Sequence, residues 1–151
     1  MSEFKSILLA EDNAEDVELA LKALSQHNLA NDVTVVRDGA EVLDYLYCRG
    51  PFKARASGNP AVILLDIKMP KVNGLQVLKT IKADENLRVI PVVMLTSSRQ
   101  EPDLAASYQL GVNAYVVKPV NFQEFLNAVK QLGIFWAFLN ERPPGSVRKA
   151  K

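Results

Sequence analysis

The sequence has little cysteine, little histidine and almost no excess of charge of either sign. Cys48 is its only cysteine, so an internal disulfide is excluded and a reducing compartment is favoured. The formal net charge of +1 argues against a general nucleic-acid or membrane-binding surface. The only histidine, His27, falls at the end of a predicted helix, which favours a charge partner there over a metal ligand.

Long hydrophobic runs and targeting segments are also missing. No run approaches the roughly 20 apolar residues of a membrane-spanning helix. The first five residues lack the apolar core of a signal peptide. We therefore expect a cytoplasmic protein without a membrane segment. With 151 residues the chain has room for one domain, which we place at 1–151 with a core over about 5–140 and a basic tail over 141–151.

Apolar runs alternate with amphipathic, helix-like stretches five times along the chain. The strand-like runs fall at residues 7–10, 33–36, 61–65, 89–95 and 114–117. The last helical pattern continues until Pro143 and Pro144. Alternation of this kind predicts an α/β fold with a doubly wound, five-stranded parallel sheet in the order 2-1-3-4-5, as in flavodoxin-like three-layer proteins.

Four of the predicted strands end in polar residues. Glu11 and Asp12 follow strand one and Asp66 ends strand three, while Thr96 and Lys118 follow strands four and five. Ligands bind in open α/β sheets at the carboxyl ends of the strands. Three carboxylates in one pocket repel each other, and Mg²⁺ relieves the repulsion. We therefore predict a Mg²⁺ site where Asp66 attacks phosphorus and Thr96 and Lys118 bind the phosphoryl oxygens.

This arrangement resembles the receiver domains of two-component response regulators from residue 7 to about residue 139. The matching residues are Glu11-Asp12-Asn13, Asp66 with Met69-Pro70 and Gly74, Thr96-Ser97, Tyr115 and Lys118-Pro119. The resemblance implies that Asp66 is the phosphoacceptor and that the two acidic residues after strand one hold Mg²⁺. It further implies that Lys68 offers its backbone carbonyl to the metal, that Tyr115 is an aromatic switch residue, and that the 118–119 peptide bond is cis.

Other features are similar to regulators paired with cyanobacterial and bacterial phytochrome kinases. They are the segment before strand three, the Phe135-Trp136…Pro143-Pro144 ending and the lack of an output domain. The similarity implies a sensor histidine kinase as partner, of phytochrome type, and signalling by protein–protein contact. The sequence leaves open the alternative of a phosphorelay shuttle that passes its phosphoryl group to a histidine phosphotransfer protein. It also leaves open whether the cationic segment 47–60 is a solvated loop or a docking surface.

Lys68 departs from the family pattern and also weighs against a rival function. A magnesium-dependent phosphatase with an aspartyl nucleophile carries a second aspartate two residues later as acid and base, and here that position is Lys68. A flavodoxin-like flavin carrier needs a hydroxyl- and glycine-rich loop after strand one, where Glu11 and Asp12 would repel phosphate. Lys68 places a cation at the rim of the pocket, and the sequence leaves open how long a phosphoryl group would stay on Asp66.

The last predicted helix carries apolar residues away from its core-facing stripe. The stripe falls at positions 122, 125, 129 and 136, whereas Ile134, Phe135 and Phe138 fall off that face. Exposed aromatic residues of this kind usually mark an interface. We therefore expect a homodimer through this helix and the strand-five edge, strengthened by phosphorylation. We expect kinase docking nearer helix one and the active-site loops.

Overall fold

The computed structural model describes residues 6–25, 32–55, 58–98, 100–112 and 114–133. Over these ranges, strands and helices alternate. The strands are β1 (Ser6–Ala10), β2 (Asp32–Val36), β3 (Val62–Asp66), β4 (Val92–Thr96) and β5 (Ala114–Val117). The α helices are α1 (Ala14–Ser25), α2 (Gly39–Leu46), α3 (Gly74–Ala83), α4 (Pro102–Gln109) and α5 (Phe122–Gln131). A 3-10 helix, Gly50–Phe52, follows α2.

The strands form one parallel sheet in the order β2-β1-β3-β4-β5, so the predicted fold class and topology are confirmed. In the register, Leu9 of β1 lies between Val35 and Leu64. The direction in which strands are added reverses between β1 and β3, and ligands bind at such switch points. The order therefore brings the end of β1 beside the end of β3.

The two faces of the sheet carry separate apolar cores. Val62 and Leu64 of β3 pack into the core with α1 and α5, whereas Ile63 and Leu65 pack into the core with α2, α3 and α4. Every residue of β3 is buried. A central strand covered by helices on both faces needs apolar side chains at every position, which explains the unbroken run before Asp66.

Two predicted boundaries are wrong. β4 begins at Val92 and not at Val89, because Val89 is 71 % exposed and Pro91 has no N–H to donate to a ladder. α5 ends at Gln131, because Gly133 has a φ of 72°, a left-handed conformation that stops a helix. The part of the predicted helix from 134 onward lies outside the described residues. None of the helices within the described ranges has the length and apolarity needed to cross a membrane.

The segment after α2 is packed against the domain. The Arg55 guanidinium lies 4.1 Å from the centre of the Tyr45 ring and donates a 2.7 Å hydrogen bond to the Tyr45 carbonyl. Arg49 forms an ion pair of 2.9 Å with Asp44. The Tyr47 hydroxyl donates a 2.7 Å hydrogen bond to Asp84, just after α3. These contacts tie residues 47–55 to α2 and to the end of α3. Most of their side chains nevertheless stay exposed, as expected of either a solvated loop or a docking surface.

The start of α3 lies against the end of β3. Asn73 caps the helix, accepting from the Gln76 N–H at 2.9 Å while the Gln76 side chain accepts from the Asn73 N–H at 3.3 Å. The Gly74 N–H donates a 2.8 Å hydrogen bond to the Ile67 carbonyl. A Cβ atom on Gly74 would overlap the Asp66 carbonyl oxygen and lie 2.8 Å from the Ile67 Cα. A glycine is therefore required for this close approach.

We expect Gly74→Ala to lower the free energy of unfolding by more than about 2 kcal/mol, because the backbone that carries Asp66 must shift to admit a methyl group. Gly133→Ala is the comparison: its Cβ would meet open space, so only the φ of 72° opposes it. That backbone penalty is about 1 kcal/mol. Urea titrations of both variants measure the difference, and equal losses would contradict the steric explanation.

Candidate functional site

The carboxyl ends of β1, β3, β4 and β5 border an open cavity of about 230 Å³. The cavity is lined by Glu11, Asp12, Asn13, Asp16, Asp66, Ile67, Lys68, Thr96, Ser97, Glu101 and Lys118. All five residues predicted at the strand ends are among them. The sheet order accounts for this, because strands far apart in the sequence end at the same edge.

Three carboxylates meet in this cavity. One oxygen each of Glu11, Asp12 and Asp66 lies within 4.8 Å of the others. Glu11 and Asp66 are 1 % and 4 % exposed, whereas Asp12 faces solvent. Hard oxygen donors of this kind suit Mg²⁺, which binds one or two carboxylates and keeps several of its waters. The donor set therefore fits a hard divalent cation, with Asp12 on the open side.

The Lys118 ammonium group joins the cluster from β5. Its Nζ lies 3.1 Å from Glu11 Oε1, 3.3 Å from Asp66 Oδ2 and 3.3 Å from Asp16 Oδ2. Although burial alone would lower it, the carboxylates of Asp66, Glu11 and Asp16 raise the pKa of Lys118. The side chain therefore stays charged and neutralises part of the acidic cluster.

The two buried carboxylates resist ionisation. Burial, followed by repulsion from Asp66, raises the pKa of Glu11 to about 7, against hydrogen bonds from the Asn13 N–H and from Lys118. Burial also raises the pKa of Asp66, while Lys118 opposes the shift. Without a metal, the negative charge in this pocket is costly, and a second cation would relieve it.

The Thr96 hydroxyl is held by the segment that follows β4. It is 1 % exposed and donates a 2.8 Å hydrogen bond to the Ser98 carbonyl, while the Ser98 N–H donates to it at 3.3 Å. Tyr115 lies outside the cavity and packs edge to face on Tyr108 of α4, with ring centres 6.3 Å apart. Thr96 must exchange its Ser98 partner before it can bind a group on Asp66.

Lys68 lies at the mouth of the cavity. Its backbone N–H donates to Asp66 Oδ1 at 3.4 Å, and its ammonium group lies 3.3 Å from Glu101 Oε2. The Lys118-Pro119 peptide bond is cis, as the resemblance implied. The predicted interface residues Ile134, Phe135 and Phe138 lie outside the described residues, as does His27.

Sequence reasoning missed three contributors to the cavity and its surroundings: Asp16, Ser98 and Glu101. Asp16 lies in the first turn of α1, one helical turn after Asp12, and this spacing could have identified it. Glu101 directly precedes the proline that starts α4 and caps that helix through the Asp103 N–H at 3.3 Å. Ser98 acts through its backbone, for which the sequence carries no signal.

We expect the metal-free protein to lose stability as the pH rises from about 4.5 to about 7. The pKa of Glu11 is raised from 4.5 to about 7, so the folded state holds a proton that the unfolded state releases. The free energy of unfolding therefore falls with rising pH in this window. Glu11→Gln removes the ionisation and should stabilise the metal-free protein by about 2 kcal/mol at about pH 8.

Urea titrations in the presence of a chelator, at about pH 5 and about pH 8, measure this effect. The matched control is Glu18→Gln, the same substitution at an exposed position of α1. Its stability should change with pH as that of the parent does. The same pH dependence in Glu11→Gln and the parent would show that the buried carboxylate is not the cause.

Comparison with known proteins assigns the chain to a family. The model of the response regulator receiver domain matches residues 7–130. The solved bacteriophytochrome response regulator RtBRR is 63% identical with a TM-score of 0.82, covering 94% of this chain and 86% of that one. The phosphorylated cyanobacterial phytochrome response regulator RcpA is 39% identical with a TM-score of 0.72, covering 93% and 99%.

Response regulator Rcp1 of Synechocystis sp. is 37% identical over 132 residues, which cover 87% of this chain and 88% of Rcp1. The Mn²⁺-bound structure of response regulator Rcp1 aligns with a TM-score of 0.70 at 34% identity, covering 97% of this chain and 99% of that one. All of the residues that line the acidic cavity fall within the matched range 7–130. The chain belongs to the response regulator receiver family and is closely similar to the response regulators of bacterial and cyanobacterial phytochromes.

Proposed function

We propose that the protein accepts a phosphoryl group on Asp66 from a sensor histidine kinase, with Mg²⁺ bound, and signals by protein–protein contact. The observation that carries this proposal is the placement of Asp66, a buried carboxylate at the end of the central strand. An ammonium group lies 3.3 Å from it and two further carboxylates lie beside it. The protein acts as a phosphoacceptor and not as an enzyme with a separate substrate.

In the proposed transfer, an Asp66 carboxylate oxygen forms a bond to phosphorus while the phosphorus–nitrogen bond of the donor's phosphohistidine breaks. The imidazole nitrogen keeps the electron pair of that bond, and the product on Asp66 is an acyl phosphate. Mg²⁺ would be held by Glu11, Asp12 and Asp66, with the Lys68 backbone carbonyl as a further ligand, and would supply positive charge to the phosphoryl oxygens.

In the proposed mechanism, Lys118 and Thr96 each bind a different oxygen of the phosphoryl group. Lys118 favours the ionised form of Asp66 at rest, since its charge opposes the rise in the Asp66 pKa that burial causes. After transfer, its ammonium group pairs with a phosphoryl oxygen, and the Thr96 hydroxyl leaves the Ser98 carbonyl for another. Movement of Thr96 frees space on the β4–β5 side, and Tyr115 follows by leaving its contact with Tyr108.

The relatives support the proposal in specific ways. RcpA has been solved in a phosphorylated form, and Rcp1 in a form with bound Mn²⁺. RtBRR and RcpA are named as regulators of phytochromes. We therefore propose a phytochrome histidine kinase as the donor and the cytoplasm as the location. Neither nucleic acid nor membrane is part of the proposed activity.

We expect the parent protein to gain one phosphoryl group from acetyl phosphate, and only with Mg²⁺ present, whereas Asp66→Asn gains none. The amide lacks the nucleophilic oxygen charge and cannot form the acyl phosphate. Asp32→Asn, an exposed change at the start of β2, should behave as the parent. Intact-mass spectrometry measures the product, and equal incorporation into Asp66→Asn would refute the assignment.

We also expect a homodimer through α5 and the β5 edge, strengthened by phosphorylation. β5 is an edge strand of the sheet, and the aromatic residues that motivate this expectation follow α5 in the sequence. Sedimentation of the parent and of the double variant Phe135→Glu/Phe138→Glu, each with and without a phosphoryl mimic, measures the association. A monomer in all four samples would rule the dimer out.

A further inference from the structure

An ion pair spans the mouth of the acidic cavity. Lys68, in the segment after β3, and Glu101, at the start of α4, both line the cavity, with Nζ and Oε2 3.3 Å apart. The side chain of Glu101 is 10% exposed, whereas that of Lys68 is 72% exposed. The carboxylate therefore lies in the wall of the mouth and holds a cation that otherwise reaches into solvent.

The two oxygens of Glu101 have different partners. Oε1 accepts the Asp103 N–H at 3.3 Å and caps α4, while Oε2 pairs with Lys68. A glutamine at position 101 keeps an acceptor oxygen for the helix cap and removes the charge that holds Lys68. The cap and the ion pair can therefore be separated experimentally.

The cavity holds more carboxylates than ammonium groups, so the Lys68–Glu101 ion pair affects how the cavity receives an anion. Besides Glu101, four carboxylates line the cavity: those of Glu11, Asp12, Asp16 and Asp66. Lys118 is already shared among three of these four, at 3.1–3.3 Å. An anionic phosphoryl donor that approaches the mouth therefore meets Lys68 as the cation on its path, and Glu101 competes for that cation.

We propose that Glu101 is a specificity-determining residue: it restrains Lys68, which changes partner from Glu101 to the oxygens of an incoming anionic phosphoryl donor. This inference rests on the proposed function of Asp66. The strength of the Lys68–Glu101 pair then sets how readily the site responds to small, highly charged donors. A purely structural ion pair has no such effect on donor choice.

The two single substitutions have opposite expected effects. Glu101→Gln frees Lys68 and should speed phosphorylation by acetyl phosphate about twofold to fivefold, the range expected for a solvent-screened ion pair. Lys68→Met removes the cation, leaves Glu101 unpaired at the mouth, and should slow the reaction by a similar factor. If the pair merely held the two segments in place, both changes would slow phosphorylation.

The matched control is Lys71→Met. Lys71 lies in the same segment and is similarly exposed at 70%, but it pairs with Asp38 at 3.5 Å and is not among the residues that line the cavity. Its removal takes away one positive charge without altering the mouth. Lys71→Met should therefore phosphorylate at the parent rate.

Initial rates are measured at saturating Mg²⁺ with acetyl phosphate and with the less highly charged phosphoramidate, at low and high salt. The increase in phosphorylation rate caused by Glu101→Gln should be larger with acetyl phosphate than with phosphoramidate. It should become smaller at high salt, because salt screens exposed charges. Calorimetric Mg²⁺ titration is the second readout. Loss of a nearby negative charge should weaken Mg²⁺ binding or leave it unchanged, so tighter binding does not produce the gain.

A Glu101→Gln rate equal to or below the parent rate overturns the inference, as does a Lys68→Met rate that is not reduced. A gain that is the same for both donors overturns it as well. If the parent itself takes no phosphoryl group, the proposed function fails instead. The two failures are therefore distinguishable in one set of measurements.

Discussion

The contact of one ammonium group with three carboxylates ties the functional end of the molecule together. Lys118 joins β5 to β1, β3 and α1, over separations of 107 residues to Glu11 and 52 residues to Asp66. Removal of Lys118 would leave the buried carboxylates without a cation, a loss that typically costs about 3–5 kcal/mol, whereas removal of Glu11 leaves Lys118 paired with Asp16 and Asp66. The cluster is therefore both a structural link and a store of unfavourable charge, and the raised pKa values of Glu11 and Asp66 express that cost.

The surrounding fold offsets this cost. Apolar cores on both faces of the sheet hold the strand ends in place, so the carboxylates cannot move apart to relax their repulsion. Gly74 brings α3 against the backbone of Asp66, which fixes the carboxylate from the other side. The unfavourable charge is concentrated at the carboxyl ends of the strands, where the acidic cavity opens to solvent.

Much of this arrangement could be predicted from the sequence, because it follows from the order of strands. Each of Glu11, Asp66 and Lys118 ends or follows an apolar run, and this pattern alone predicts that the three side chains lie together at the carboxyl ends of the strands. The contact of Glu101 depends on the path of the loop before α4, which hydrophobic patterns do not encode, whereas the spacing of Asp16 from Asp12 is a usable signal. The start of β4 and the end of α5 differ from their predicted positions for a similar reason: the exposure of Val89 and the φ of Gly133 are properties of the folded backbone.

The two flanks of the domain are joined to the rest of the fold by different kinds of contact. The Tyr47–Asp84 hydrogen bond and the Arg55–Tyr45 stack couple α2 mechanically to the end of α3. On the opposite flank, α4 is coupled to β5 by the Tyr108–Tyr115 ring contact and to the β3–α3 segment by a largely solvent-exposed lysine. The movement of Thr96 and Tyr115 proposed above would therefore act on the flank of α4 and β5, where Tyr115 contacts Tyr108.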